Sequence, residues 1–138
     1  MARYFLDENL GRRVGSVLKE AGFNVVTSHD LGLAGRPDVE WISQVAAQDR
    51  IIITADANIR LVPAEKAAVI AARARLITVR IGKVATVMNV AVNIVNSQAV
   101  LERFIARTDA PWIISLSMPD EQSFKLGRPG KLSRNKLG

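Results

Sequence analysis

Apolar and polar positions along the chain follow two rhythms, one of strands and one of helical faces. The short apolar run Arg3-Tyr4-Phe5-Leu6 predicts a first strand that ends on Asp7-Glu8-Asn9. Leu10, Val14, Val17, Leu18 and Ala21 then recur on one helical stripe, and Gly22 supplies its stop. Phe23 to Thr27 is β-prone and predicts strand two, and the glycines and proline of Ser28 to Pro37 predict a loop on the same sheet edge as Asp7. A second helix is expected from Asp38 to Gln48, with Val39, Ile42, Val45 and Ala46 facing inward. Arg50 to Thr54 contains the unbroken run Ile51-Ile52-Ile53, which suits a central parallel strand buried on both faces, and it leads into Ala55-Asp56-Ala57-Asn58. Ala64 to Ala74 predicts a third helix, Leu76 to Ile81 a fourth strand, and Trp112 to Ser117 a fifth.

From Thr86 to Arg107, Val87, Val90, Ala91, Ile94, Val95, Leu101, Phe104 and Ile105 keep helical spacing, with Asn89, Asn93 and Asn96 as a polar stripe. Met88, Val92 and Val100 widen the apolar surface and point to a second contact, with a partner or another copy of the chain. Strands alternating with helices at this rhythm indicate an α/β fold, a three-layer α/β/α sandwich around a mostly parallel central sheet.

A chain of 138 residues fits one domain with a sizeable core. Its formal charge of +6 is unevenly spread: residues 122–138 hold Lys125, Arg128, Lys131, Arg134 and Lys136 and no acid, so the body is almost neutral. Residues 1–118 are expected to form the domain, and residues 119–138 a basic, flexible tail suited to phosphate contact. The absence of cysteine excludes thiolate chemistry and disulfides, and with no run of 18 apolar residues the expectation is a cytoplasmic protein away from membranes.

Asp7 and Asp56 end apolar strands and Asp38 opens a helix, so all three reach one cleft if strands one and three are neighbours. Three carboxylates in one cleft repel unless cations are present, and an all-oxygen set with asparagines selects Mg²⁺ or Mn²⁺. The implied reaction is metal-assisted phosphodiester hydrolysis with a metal-activated water as nucleophile. With His29 the only histidine, a mechanism needing a histidine acid and a histidine base is disfavoured. Arg12, Arg13 and Arg36 flank the expected cleft and, with Lys125, Arg128, Lys131 and Arg134, are the candidates for contact with the substrate's phosphates.

Tyr4-Phe5-Leu6-Asp7-Glu8-Asn9-Leu10, the Asp-Leu-Gly-Leu-Ala-Gly loop at 30–35, Asp38 with Glu40 and Ile42, and Ile51-Ile52-Ile53-Thr54-Ala55-Asp56 together resemble the PIN-like proteins, in particular the VapC-type toxin branch. The resemblance covers roughly residues 3–60. It implies a Mg²⁺- or Mn²⁺-dependent ribonuclease held inactive by a protein antitoxin. By position it makes Asp7, Asp38 (or Glu40) and Asp56 the metal-binding acids, with Asn58 where relatives often carry a fourth acid.

Two other readings compete. A receiver-like signalling domain would use Asp7, Glu8 and Asp56 for phosphorylation, but it expects a Thr or Ser and a Lys closing strands four and five, which Thr78 and Trp112–Ser117 do not supply. In a non-catalytic binding module the acids would serve as helix caps and turn formers.

Overall fold

The computed structural model describes residues 2–56, 61–81 and 86–137. Strand β1 (Arg3–Leu6) buries three of its four side chains and lies between β2 (Asn24–Thr27) and β3 (Ile51–Thr54), parallel to both. Strand β3 is buried at all four positions, as its β-branched run requires of an inner strand. The sheet continues through β4 (Arg75–Val79), β5 (Trp112–Ser117) and β6 (Lys131–Asn135), in the order β2-β1-β3-β4-β5-β6. Only β6 is antiparallel to its neighbour among these pairs. The three-layer α/β/α architecture with a mostly parallel sheet is therefore the observed one.

Two apolar cores lie on opposite sides of this sheet. On one face, α1 (Gly11–Glu20) packs Leu18 and Val14 against Tyr4, Leu6, Ile51 and Ile53. Gly15 brings this helix close to the sheet, since a Cβ there would stand 3.0 Å from Thr27 Cγ2. On the other face, α2 (Asp38–Ala47) and α3 (Pro63–Ala72) bury Trp41, Ile42, Val45 and Val69 against Phe5, Ile52, Leu76 and Ile113. Trp41 takes the inward place expected of Val39, because 38, 41, 42 and 45 form one stripe; Val39 is half exposed.

The long helix expected over 86–107 is two helices, α4 (Val87–Asn96) and α5 (Gln98–Arg107), divided at buried Ser97. Apolar periodicity resumes after the break, so the pattern hides it. Ser97 Oγ accepts the Gly130 N–H at 2.9 Å, and the supposedly exposed Asn93 is buried, its Nδ2 donating to the Ser117 carbonyl at 3.3 Å. Val87, also expected inside, joins Met88 and Val92 in an exposed apolar patch.

Those contacts dock the C-terminal segment. Within residues 119–138, expected to be a flexible tail, Glu121–Lys125 form α6 and β6 follows, its residues Lys131 to Asn135 pairing with Ser117 to Ile113. Charge and glycine content pointed to disorder, whereas Leu132 packing on the α1-side core and the open edge of β5 hold the segment.

Helices α4 and α5 lie on the α1 face, although β4 to β5 steps across the sheet in the same direction as β3 to β4, whose helix α3 lies on the opposite face. The first three connections share one sense, which for parallel strands is almost always right-handed. The fourth connection is thus left-handed.

Candidate metal and active site

Between β1 and β3 the chain reverses its direction of travel across the sheet, and the crevice beyond the carboxyl ends of the strands at such a point is where open α/β sheets hold ligands. Asp7 emerges there directly from β1, its N–H still bonded to the Ile53 carbonyl at 2.9 Å. Its side chain is buried. Oδ1 accepts from the Glu8 N–H at 2.7 Å and Oδ2 from the Thr54 hydroxyl at 2.7 Å.

Thr54, fully buried, is the hub of this edge. Its Oγ1 also accepts from the Asp56 N–H at 3.0 Å and from Asn9 Nδ2 at 3.3 Å, while Asn9 Oδ1 accepts the Ala55 N–H at 3.1 Å. One hydroxyl thus ties the turn carrying Asp56 to the carboxylate of Asp7.

Asp38 opens α2 after Pro37, and its Oδ1 accepts from Trp41 Nε1 at 2.9 Å. Because α2 and α3 pack side by side and start at the same edge, the first turn of α3 brings Glu65 to Asp38. One carboxylate oxygen each from Asp38, Asp56 and Glu65 lie within 4.8 Å of one another. Oxygen ligands bind Mg²⁺ at about 2.1 Å. Small side-chain movements would close this group around such an ion. Glu65 Oε2 is buried without a hydrogen-bond partner, so the donor set fits a hard cation.

The electrostatics agree with that fit. Burial pushes Asp7 up to about 6, with the charges of Asp38 and Glu8 adding to it and the Thr54 and Glu8 N–H bonds opposing it. Glu65 is raised to about 7, first by burial and then by Asp38 beside it and Asp56 beyond.

The expected residues are therefore divided. Asp38 and Asp56 meet; Asp7 stands beside them, near enough to feel Asp38, but outside the trio. Glu40 is exposed and pairs with Arg36 at 3.1 Å, so it does not reach Asp56 or Glu65. Asn58 lies outside the described residues. Glu8 accepts the Gly35 N–H with both oxygens, at 3.1 and 3.2 Å, and so anchors the loop leading to Asp38. Arg12 and Arg13 are exposed in the first turn of α1, and Lys125 pairs with Glu121 at 3.4 Å. Arg128, Lys131 and Arg134 are exposed, the last two on β6.

Glu65 and Thr54 were not singled out from the sequence. An acid in a first helical turn is commonplace, and only the shared starting edge of α2 and α3 marks Glu65. Thr54 carried a signal, a hydroxyl closing an all-isoleucine strand just before an acid.

Among the described residues no helix is long and apolar enough to cross a membrane. No curated protein and no solved structure matches the chain. A family model described as a PIN like domain, a group whose members are typically nucleases, matches residues 2–80. That stretch is more than half of the chain and carries β1 to β4 with Asp7, Asp38, Asp56 and Glu65, and the chain belongs to the PIN-like domain family.

Proposed function

We propose that this protein is a Mg²⁺- or Mn²⁺-dependent endoribonuclease, the toxin of a toxin–antitoxin pair. The observation that carries the reading is the convergence of Asp38, Asp56 and Glu65, one carboxylate oxygen each within 4.8 Å, at the crevice between β1 and β3 of a PIN-like domain. A divalent ion held by these three would activate a water and offset charge building on the phosphodiester oxygens. Asp38 is oriented for binding by Trp41 Nε1, and Asp56 by the bond from its N–H to Thr54. Asp7, raised to about 6 and fixed at both oxygens, is suited to accept a proton from the attacking water at Oδ1 or Oδ2. Arg12 and Arg13, exposed five and six residues after Asp7, would hold phosphates, and Asn58 would support the metal site.

An antitoxin has an apolar surface to grip beside the acids: Val39 is 50% exposed, Leu61 62% and Val62 38%. The Val87, Met88 and Val92 patch would serve contact between copies of the chain.

The strand order β2-β1-β3-β4-β5 is also that of receiver-like folds. Against that reading, the Thr78 hydroxyl is buried against the Ile114 carbonyl and Ser115, and β5 ends at Ser117 without a lysine.

The test is cleavage of a pool of single-stranded and structured RNAs with Mn²⁺, comparing wild type with Asp56→Asn and Glu65→Gln, each checked for folding by circular dichroism. Metal-dependent cutting lost in both variants is expected. Cutting that persists in both, or labelling of Asp56 by acetyl phosphate in a protein that cuts nothing, overturns the reading.

A further inference from the structure

The left-handed connection from β4 to β5 has a consequence for substrate. Had α4 and α5 crossed in the usual sense, they would pack over β4 and β5 on the α2 face. They lie instead on the α1 face, and among the described residues the α2-side core takes no residue from α4, α5 or α6. Beyond Ile113 and Leu137, which belong to the α2-side core, the side chains there are polar: buried Thr78 on β4, Ser115 and Ser117 on β5, and Lys131, Ser133 and Asn135 on β6, placed together by the register. Thr78, Ser115 and Asn135 form a hydrogen-bonded chain, with Thr78 Oγ1 and Asn135 Nδ2 each 3.0 Å from Ser115 Oγ. Ser117, Lys131 and Ser133 are exposed, and Arg80 leaves the end of β4 close by. None of these residues is acidic. Asp120, which feels the Lys131 charge, is committed to capping α6 through Ser123.

The acid trio opens on this same face, since α2 and α3 both lie there. Strands are spaced at about 4.8 Å, so β6 is roughly 14 Å from β3, a span of a few nucleotides.

We propose that the polar α2-side face of β5 and β6 is a bed for single-stranded nucleic acid running from the acid cluster. The exposed hydroxyls of Ser117 and Ser133 and the cations of Lys131 and Arg80 are groups that bind phosphate and sugar, and an open sheet face accepts an unpaired strand. The proposal rests on the nuclease reading for its direction. It also separates Lys131, on the bed, from Arg134, which register places on the other face with Leu132.

The test is fluorescence anisotropy of labelled single-stranded RNA in EDTA over a salt series, for wild type, Lys131→Glu, Ser133→Glu and, as a charge-matched control on α5, Arg103→Glu. The two bed variants are expected to bind about tenfold more weakly, with a lower salt slope, and the control within about twofold. Equal loss in the control, no loss in the bed variants, or duplex RNA competing as well as single strands overturns the bed. Bed-dependent binding without any Mn²⁺-dependent cleavage would instead sink the nuclease reading and leave the surface standing.

Discussion

Replacing Thr54 by valine isolates the chemistry of one hydroxyl, because the two side chains have nearly the same shape and no cavity is left at this fully buried position. Three bonds are lost. The one to Asp7, at 2.7 Å, is to a carboxylate, and such bonds contribute about 1.5–3 kcal/mol. The Asp56 N–H loses its acceptor, for about 1 kcal/mol more, and the long bond from Asn9 adds little. The expected cost at pH 7.5 is therefore about 2–4 kcal/mol, or roughly 8–15 °C in melting temperature for a domain of this size. At pH 4.5 Asp7, raised to about 6, is protonated, the bond is no longer charge-assisted, and the cost should shrink to roughly half. Thr54→Ser keeps the hydroxyl and should lose only about 1 kcal/mol for its methyl group. Urea unfolding of the three proteins at both pH values is the assay, followed by Mn²⁺ titration, where valine should weaken binding about 10- to 100-fold by freeing Asp7 and the Asp56 turn. A Thr54→Val protein as stable as wild type at pH 7.5, or one with an equal deficit at both pH values, would refute the reasoning.

Three more outcomes are expected. Asp7 and Glu65 bind protons more tightly folded than unfolded, so their contribution favours the fold fully below about pH 4 and is lost as pH rises through about 6 and 7. Asp30 and Asp120, both lowered, act oppositely, favouring the fold above their ordinary 3.8 and losing that below it. Thermal scans in EDTA should thus peak near pH 4–5, and Mn²⁺ should raise the melting temperature more at pH 7.5 than at pH 5; a pH-independent metal effect would contradict this. Glu65→Gln should weaken Mn²⁺ binding at least about tenfold by calorimetry while leaving the metal-free protein equally or more stable at pH 8, since a strained charge is gone. In Gly130→Ala the added Cβ would overlap the Ser117 carbonyl and the Asn93 side chain, so β6 should detach. Limited proteolysis should then cut within 119–138 while the rest resists, and an uncut segment would show that the backbone gives way cheaply.

Much of the site was legible because its signals are local. Asp7 and Asp56 stand where apolar runs end, and Asp38 follows a Pro before a helical stripe, so their place at one sheet edge follows from the element pattern. Glu40 misled, since one residue's position in a first turn decides whether it faces α3 or solvent, and Arg36 four residues earlier captures it. The tail misled as well. Its charge suited a solvated arm, but pairing with β5 depends on an edge that no local pattern announces.

The sequence by itself determined the elements from β1 to β4, the buried parallel strands and the delivery of three aspartates to the carboxyl edge, because strand burial and helix periodicity are written residue by residue. Only the tertiary structure decided that Glu65 completes the acid trio, that Thr54 locks Asp7 to the Asp56 turn, and that the β4 to β5 connection crosses on the α1 face. Each of these depends on which side of the sheet a helix packs and which strands become neighbours. Those choices are settled by the joint burial of residues far apart in the chain, and no window of sequence contains them.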